Sequence, residues 1–338
     1  MQILVDVMGG DQPPEELVRG GVEIGRLREM EICFAGDGRQ IDHAIRSCGE
    51  RPGRRFHILP CSQVISMQDA PVRSVREKSD SSMVRGLREL RNGTVAAFVS
   101  PGNTGAVVAA SLLVLGRVRG IPRPAILAPI PTLAGQDLHL LDAGANADCH
   151  AEHLLHFARM GSAYAREVVG VDAPRVGLLN IGEEASKGSR LMIKSYTLLE
   201  AECPGFRGNI EPHEMLEQRP VDIVVSDGLI GNICLKSIEG GVSAVTGLLR
   251  RSIKSSAAAK LGALFMRSVF RDLRYTLSYR ERGGAPLLGV NGVVVIAHGR
   301  SDAHAIRNAI DSARREVEAG LTECIARTVP PAEVADGI

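Results

Sequence analysis

The strongest candidate for chemistry in this sequence is a glycine-flanked loop that carries two carboxylates and one ammonium group. It reads Gly182-Glu183-Glu184-Ala-Ser-Lys187-Gly188 and follows the apolar run RVGLLN. A lysine in such a turn can act as a point charge on phosphate. The alternative is a solvated loop whose Glu–Lys pair contributes little stability. Because the loop follows a predicted strand, we favour a functional site.

Two further loops have a composition that suits an anion. Asn103-Thr104-Gly105 follows an apolar run and opens a predicted helix, where backbone N–H groups can hold an anion or an oxyanion. The stretch from Asp227 to Asn232 has the same placement in a longer loop. Each signal is weak when taken alone.

These loops belong to a recurring pattern in which a short apolar run ends in a polar, glycine-rich loop and a helical pattern follows. The runs are QILVDV, VAAFVS, LHLLDA, RVGLLN, VDIVVSD and GVVVIAH. The loops after them carry Asp6, Gly9, Gly10, Asp11, Asn103, Thr104, Asp142, Asn146, Asn180, Glu183, Glu184, Lys187, Asp227, Asn232, His298, Arg300 and Ser301. Asp and Asn can simply cap helices, and Gly can simply turn the chain. In open α/β sheets, however, ligands bind beyond the carboxyl ends of the strands, so six such loops predict one shared anion site.

The alternation of runs and helices also predicts the fold class. The strands are nearly continuous in Val, Ile and Leu, as expected when both faces of a sheet are covered. Strands that alternate with helices at this spacing favour a three-layer αβα fold with a mostly parallel sheet. We predict one large domain over residues 1–322, a helical extension at about 235–282, and a tail over 323–338.

Other kinds of site are disfavoured. His150, His153 and His156 are spaced so that they fan around a helix, and H-E-x-x-H is absent, so we expect no metal. There is no P-loop motif, no G-x-G-x-x-G after a strand and no G-x-S-x-G, and we expect no cofactor. The seven cysteines form no C-x-x-C pair, which favours a reducing compartment.

Charge and composition argue against nucleic acid and against a membrane span. Lys and Arg number 40 against 39 Asp and Glu, for a net charge of +1, and there are 7 Phe, 4 Tyr and no Trp. The chain therefore lacks both a global basic field and an aromatic stacking surface. Its longest apolar stretches are about nine residues, whereas a spanning helix needs ~20. The N-terminal MQILVDVMGGD resembles a first strand rather than a signal peptide, so we expect a cytoplasmic protein.

One segment is strongly basic. Residues 250–275 contain seven Lys or Arg and one Asp. On a helical wheel, Lys260, Arg267, Arg271 and Arg274 lie within ~60°, and apolar residues that include Phe265 and Phe270 fill much of the remaining circumference. Such a helix suits an anionic lipid surface or an acidic protein. It equally suits a dimer bundle with its basic edge in water.

Together, these segments resemble the bacterial phosphate acyltransferase family (PlsX) nearly end to end. The matching stretches are VDVMGGD, FVSPGNTGA, GIPRPAI, LLDAGANADC, GSAYA, VGLLNIGEEASKG, SDGLIGNICLKSIEG and GGAPLLGVNGVVVIAHGRSDAHAIRNAI. Pro101 and Glu211-Pro212 depart from the usual pattern, and residues after about 322 lie outside the match.

The resemblance implies a reaction, partners and a fold. An acyl-(acyl carrier protein) and inorganic phosphate would give acyl phosphate and free carrier protein. A membrane glycerol-3-phosphate acyltransferase would consume the acyl phosphate in phospholipid synthesis. The resemblance also implies a homodimer, and a fold similar to isocitrate and isopropylmalate dehydrogenases or phosphate acetyltransferases. The expected location is the cytoplasmic face of an anionic membrane, where the protein would be peripherally associated.

The reaction type suggests roles for individual residues. Phosphate is itself a nucleophile, so the protein needs to align it with a thioester carbonyl and stabilise the oxyanion. We expect Lys187 to supply charge, Asn232 and Asn103 to orient the reactants, and Asp227 to position a donor. Expected ligand-binding residues are Gly9, Gly10, Thr104, Gly105, Asn146, Asn180, Gly182, His298 and Arg300. Asp6 and Asp11 are expected to organise their loop, since carboxylates would repel phosphate.

Three rival functions remain open at the level of sequence. A phosphate acetyltransferase that uses a coenzyme A thioester would share the fold and the chemistry. A non-catalytic membrane adaptor would need only the basic helix. A metal-dependent decarboxylating dehydrogenase is the third.

Overall fold

The computed structural model describes residues 1–217, 220–271 and 281–328. Its strands are β1 (Gln2–Asp6), β2 (Glu31–Gly36), β3 (Phe56–Pro60), β4 (Ala97–Ser100), β5 (Ala125–Ile126), β6 (Ala128–Pro131), β7 (Asp137–Leu141), β8 (Val176–Leu179), β9 (Phe206–Ile210), β10 (Ile223–Val225), β11 (Ala285–Leu288) and β12 (Val293–Ile296). Its helices are α1 (Pro14–Leu27), α2 (Gly38–Ser47), α3 (Pro71–Glu77), α4 (Ser82–Arg91), α5 (Thr104–Val114), α6 (Ala151–Tyr164), α7 (Arg190–Glu202), α8 (Pro212–Glu217), α9 (Gly228–Lys254), α10 (Ala257–Phe265), α11 (Ala303–Glu318) and α12 (Leu321–Thr328). A π-helical turn, Ala165–Val169, follows α6.

The strands form two sheets rather than one. The seven-stranded sheet has the order β3-β2-β1-β4-β12-β11-β5, and only β11 runs antiparallel to its neighbours. The five-stranded sheet has the order β6-β7-β10-β8-β9, and only β6 is antiparallel. The prediction of a mostly parallel α/β fold is confirmed. The division into two sheets was not visible in the sequence.

All six predicted strand–loop–helix units are present: β1–α1, β4–α5, β7–α6, β8–α7, β10–α9 and β12–α11. Several helices begin at a residue whose side chain accepts a hydrogen bond from the first turn. Asn103 caps α5, Ser189 caps α7, Asp227 caps α9 and Asp302 caps α11. These side chains satisfy N–H groups that the helix itself leaves without partners, which explains where each helix starts.

The apolar strands are covered on both faces, as the layered fold requires. Ile3, Leu4 and Val5 are consecutive residues of β1, and each is fully buried. Ile3 and Val5 belong to one apolar cluster, with α1 and α11, whereas Leu4 belongs to another, with α4 and α5. Side chains of a strand alternate between faces, so both faces of the seven-stranded sheet carry helices.

The predicted basic helix is interrupted. Helix α10 ends at Phe265, Met266 is a turn, and residues 267–271 are helical again. The prediction of one continuous helix from Lys260 was therefore wrong, and its wheel angles do not extend past Met266. Lys260, Phe265, Arg267 and Arg271 are exposed and Phe270 is half-buried, whereas Arg274 lies outside the described residues.

Helix α9 also lies largely at the surface. Of its 27 residues, Gly228 and Gly231 are the buried ones. None of the described helices combines the length and apolar character that crossing a bilayer requires. The predicted boundary between domain and tail falls inside α12, where Cys324 and Ile325 are buried, so residues 323–328 pack onto the fold.

A buried acid makes stability depend on pH. Glu316 of α11 is 1% exposed, its Oε1 accepts a hydrogen bond from Ser312 Oγ at 3.2 Å, and burial raises its pKa to about 8. The folded state therefore binds more protons than the unfolded state between pH 4.5 and 8. Stability falls across this window as pH rises, by at most about 1.4 kcal/mol per pH unit for one group.

We expect Glu316→Gln to stabilise the protein at pH 8 and to have a much smaller effect at pH 5. The amide can still accept from Ser312 but has no charge to bury. Urea midpoints at the two pH values test this, with the exposed Glu318→Gln on the same helix as control. Equal pH dependence in the Glu316→Gln variant and the unsubstituted protein would contradict it.

Candidate functional site

The carboxyl edge of the seven-stranded sheet brings together the loops after β1, β4 and β12. Asp6 is fully buried, and its carboxylate accepts hydrogen bonds from Met8 N (3.1 Å) and Ser100 Oγ (2.8 Å). Burial raises the pKa of Asp6, and these hydrogen bonds oppose that shift. Asp6 therefore organises its loop, as expected. A Cβ on Gly9 would lie 2.9 Å from Gly102 Cα, so only glycine allows the two loops to approach this closely.

The loop after β12 completes this edge. Asp11 N donates to Gly299 O at 2.7 Å, and His298 Nδ1 accepts from Arg300 N at 3.1 Å. Partial burial lowers the pKa of His298, and the positive charges of Lys236 and Arg300 act in the same direction. The imidazole is therefore neutral at neutral pH, and Arg300 is exposed beside it.

The side chain of Asn103 is hydrogen-bonded within the protein at both its oxygen and its nitrogen. Its Oδ1 accepts from Ala106 N at 3.1 Å, and its Nδ2 donates to Met67 O at 2.9 Å. The side chain therefore caps α5 and anchors the loop before α3, and the expected role of Asn103 in orienting the reactants stays a prediction. Thr104 and Gly105 are exposed at this helix N-terminus, and their N–H groups have no partner within the described chain. These backbone amides are available to an anion.

The carboxyl edge of the five-stranded sheet is built on a second buried acid. Asp142 is fully buried, and its carboxylate accepts from the N–H groups of Ile126, Gly144, Ala145 and Asn146 at 2.7–3.0 Å. Asn146 is 8% exposed, and its Nδ2 donates to Asp142 Oδ2 (2.8 Å) and Pro124 O (2.7 Å). Both amide hydrogens of Asn146 are thus used inside the protein, and the ligand contact expected of this residue stays a prediction.

Helix α9 starts directly against this loop. Asp227 accepts from Ile230 N at 2.8 Å, and Gly228 N donates to Asn146 O at 2.8 Å. A Cβ on Gly231 would lie 2.0 Å from Asp142 O, so the helix touches the loop backbone there. Asn232 is exposed, and its Cγ lies 3.5 Å from where a Gly144 Cβ would be. Asp227 is a cap, whereas the Asn232 amide is open to solvent beside the loop.

The Lys187 loop follows β8, the strand beside β10. Lys187 N donates to Glu184 O at 3.0 Å, which closes a turn, and Lys187 Nζ lies 3.7 Å from Glu184 Oε1. The Lys187 side chain is 49% exposed, so this ion pair holds it weakly. Asn180 is 7% exposed and its Nδ2 donates to Lys187 O at 3.1 Å. The Asn180 amide therefore shapes the loop that includes Gly182, and the ligand contact expected of Asn180 stays a prediction.

Helix α9 joins the two edges. Leu235 packs against the cluster that contains Ala106 and Val107 of α5, and also against Leu179 of β8. Lys236 lies close enough to His298 to lower its pKa. Among the described residues, no hydrogen bond or ion pair joins Lys187 directly to Asn103 or Asn232. The two edges are thus linked through α9, and a shared cavity for all six loops stays a prediction.

The site offers anion donors but no activated nucleophile. Burial raises the pKa of Cys149 to about 12 and that of Cys61 to about 11, so neither thiol is a thiolate at neutral pH. Within residues 1–217, 220–271 and 281–328, no group of three His, Cys, Asp or Glu side chains could hold a metal ion. What the arrangement provides is exposed ammonium, amide and backbone N–H groups for a substrate anion.

Sequence reasoning missed several residues of the site. Ser100, Gly144 and Lys236 lie inside stretches that carry the family resemblance, but their residue types gave no reason to single them out, and only their neighbours across the fold show their importance. A basin of about 900 Å³ lies elsewhere, between α2 and the start of β3. Its lining includes Arg51, Arg54 and Arg55 but also three glutamates, and it contains none of the predicted site residues.

The chain is similar to known proteins over nearly its whole length. Residues 1–324 match the family described as "Fatty acid synthesis protein". The chain is 43% identical to a phosphate acyltransferase of Heliobacterium modesticaldum over 330 residues, covering 98% of each chain. It is 44% identical to that of Desulforudis audaxviator over 342 residues, covering 100% of each.

Solved structures share the fold at low identity. A phosphotransacetylase from Streptococcus pyogenes superposes with a TM-score of 0.63 at 15% identity, covering 94% of each chain. A 4-hydroxythreonine-4-phosphate dehydrogenase from Klebsiella pneumoniae gives 0.56 at 13% identity, covering 94% of this chain and 99% of its own. The expected likeness to phosphotransacylase and dehydrogenase folds is confirmed.

Proposed function

The chain belongs to the phosphate acyltransferase family (PlsX), and on that premise we propose that it transfers a fatty acyl group from acyl-(acyl carrier protein) to inorganic phosphate. The product would be acyl phosphate, used in the synthesis of phosphatidic acid by a membrane glycerol-3-phosphate acyltransferase. The observation that carries this proposal is the membership itself together with a site that holds anion donors and no activated nucleophile.

The chemistry follows from the nature of phosphate. A phosphate oxygen attacks the thioester carbonyl carbon, a tetrahedral oxyanion forms, and the carrier thiolate leaves as the C–S bond breaks. The protein therefore has to bind phosphate, align it and stabilise charge on the oxyanion. No covalent acyl-enzyme is required, which suits cysteines whose pKa values are raised by burial.

The solvent-exposed polar groups of the site can be assigned to phosphate binding, alignment and oxyanion stabilisation. Lys187 supplies positive charge on a loop that leaves it half exposed. The exposed amide of Asn232 and the free N–H groups at the start of α5 orient phosphate and the carbonyl. Gly9 and Gly10 allow the loop after β1 to approach the loops after β4 and β12, Gly182 lies within the Lys187 loop, and His298 and Arg300 line the edge next to α9.

One incubation tests the proposal. The purified protein is mixed with an acyl carrier thioester and labelled phosphate, and the expected product is a labelled mixed anhydride that hydroxylamine cleaves. The same incubation with acyl coenzyme A separates the donors. Faster turnover of the coenzyme A ester would favour the phosphate acetyltransferase alternative, and no anhydride from either donor would refute both.

The exposed helices suggest where partners bind. In the single chain, Leu248 of α9 and Leu261, Leu264 and Phe265 of α10 are 57–80% exposed, an apolar surface beside Arg267. We propose that these helices form the homodimer interface and the contact with an anionic membrane surface. The acidic carrier protein is the alternative partner for the same basic residues. Sedimentation of the purified protein tests the dimer.

Charge reversal at Arg267 and Arg271, to glutamate, is expected to weaken binding to vesicles that contain anionic lipid, because each lost cation removes attraction to the surface. Activity on soluble acyl carrier thioester is expected to persist. Co-sedimentation with anionic and with neutral vesicles measures the effect, and Arg166→Glu, a substitution at an exposed arginine remote in sequence, is the control. Unchanged binding to anionic vesicles would refute the membrane role.

A further inference from the structure

Two asparagine side chains donate hydrogen bonds to backbone carbonyls of the Lys187 loop. Asn180 precedes the loop, and its Nδ2 donates to Lys187 O at 3.1 Å. Asn209 lies on β9, the edge strand beside β8, and its Nδ2 donates to Glu184 O at 2.8 Å and to Glu183 O at 3.4 Å. Asn209 is 25 residues from Glu184 in the sequence and lies in no motif that the sequence analysis singled out.

The carbonyl that Asn209 holds is also the one that closes the Lys187 turn. Glu184 O accepts both from Asn209 Nδ2 (2.8 Å) and from Lys187 N (3.0 Å). The side chains from Glu183 to Lys187 are exposed, so burial does not fix their positions. In the described chain, the carbonyls of Glu183 and Glu184 receive side-chain hydrogen bonds from Asn209 alone.

The amide oxygen of Asn209 makes no stabilising contact that would explain why an asparagine is buried here. Asn209 is 5% exposed, and its Oδ1 is buried with no hydrogen-bond partner among the described residues. A buried acceptor without a partner destabilises a protein, and such an exception in a native structure needs an explanation. The hydrogen bonds that Asn209 Nδ2 donates to the Lys187 loop explain why an asparagine stands at this position.

We propose that Asn209 is a positioning residue for acyl transfer: by holding the Glu184 carbonyl, it places the Lys187 ammonium where charge develops. This inference rests on the proposed function. Preorganisation of this kind matters because displacing a stabilising group by about 1 Å can cost as much as 10²-fold in rate.

Asn209→Leu is the main test, because leucine is close in size but donates no hydrogen bond. We expect kcat to fall by ~10-fold or more, with the KM for the acyl thioester unchanged and the urea midpoint unchanged or higher. The matched control is Asn291→Leu. Asn291 Nδ2 also donates to two loop carbonyls, of Leu115 (3.2 Å) and Arg117 (2.9 Å). It precedes β12 and so lies at the amino-terminal end of a strand of the seven-stranded sheet, opposite the carboxyl edge. That variant is expected to keep full activity.

Asn209→Asp is a second test of the positioning role, and it applies even if Asn209→Leu folds poorly. Asn209→Asp preserves the shape, repels the two carbonyls when ionised, and regains an O–H donor when protonated. Its activity relative to the unsubstituted protein is therefore expected to rise as pH falls. A ratio that stays constant with pH would overturn the positioning role.

The double variant Lys187→Ala/Asn209→Leu separates positioning from a general loss of structure. If Asn209 acts through Lys187, the double variant turns over no more slowly than Lys187→Ala alone. A full additional loss, or wild-type kcat in Asn209→Leu, would overturn the inference. If Lys187→Ala is itself fully active, the assigned role of Lys187 fails first, and the inference fails with it.

Discussion

Lys187→Ala is expected to lower turnover by at least ~100-fold, the scale observed when one preorganised electrostatic contact to a developing oxyanion is removed. The Lys187 side chain contributes little to stability, because its only described ion pair is with Glu184 at 3.7 Å on an exposed turn. The variant should therefore fold normally. Initial rates with an acyl carrier thioester and phosphate, together with the urea midpoint, measure both effects.

The kinetic constants of Lys187→Ala also distinguish whether Lys187 stabilises bound phosphate or the oxyanion of the transition state. A rise in the KM for phosphate with little change in kcat indicates ground-state phosphate binding, whereas a fall in kcat indicates the transition state. Lys194→Ala, at an exposed lysine in the following helix α7, is the matched control and is expected to be fully active. Near wild-type kinetics of a folded Lys187→Ala variant would remove Lys187 from the mechanism.

Gly231→Ala is expected to damage both stability and activity, because the new methyl group has no room. Its carbon would lie 2.0 Å from Asp142 O, a backbone atom of a loop held by five hydrogen bonds to the buried Asp142 carboxylate. Helix α9 must move away, which displaces Asn232 and separates the two sheet edges that α9 connects. We expect a loss of about 1–3 kcal/mol in stability and a loss of turnover on the order of 100-fold.

Gly240→Ala is the matched control in the same helix. A Cβ at Gly240 meets nothing within 4 Å, so alanine is expected to stabilise α9 by roughly 0.5–1 kcal/mol through its higher helix propensity. Thermal unfolding and initial rates compare the two variants. If Gly231→Ala is as stable and as active as Gly240→Ala, the contact between α9 and the Asp142 loop does not support the site.

The elements of this protein could be predicted because their signals are local. The runs that became β1, β4, β7, β8, β10 and β12 are nearly continuous in apolar residues, and a polar cap or a proline stands before each following helix. Lys187 and Asn232 were predicted as open, chemically useful groups, and the structure leaves both exposed. Their roles in the reaction stay predictions.

Side-chain engagement could not be predicted in the same way. Asn103, Asn146 and Asn180 carry the residue type and the loop placement of ligand-binding groups, yet their amides bind Met67, Pro124 and Lys187 carbonyls within the protein. No glycine or proline occupies position 266, where the helix is interrupted, so the sequence pattern did not predict the interruption. No motif or spacing in the sequence singled out Asn209.

The sequence by itself determined the family, the α/β class, and which loops follow the carboxyl ends of strands, since these depend on patterns within a few residues. Only the tertiary structure decided that the strands divide into two sheets, that α9 connects their edges, and which polar groups remain open to a substrate. The physical reason is that pairing β4 with β12, or Asn209 with Glu184, depends on contacts between distant parts of the chain. A donor's availability is known only once every competing acceptor around it has been placed.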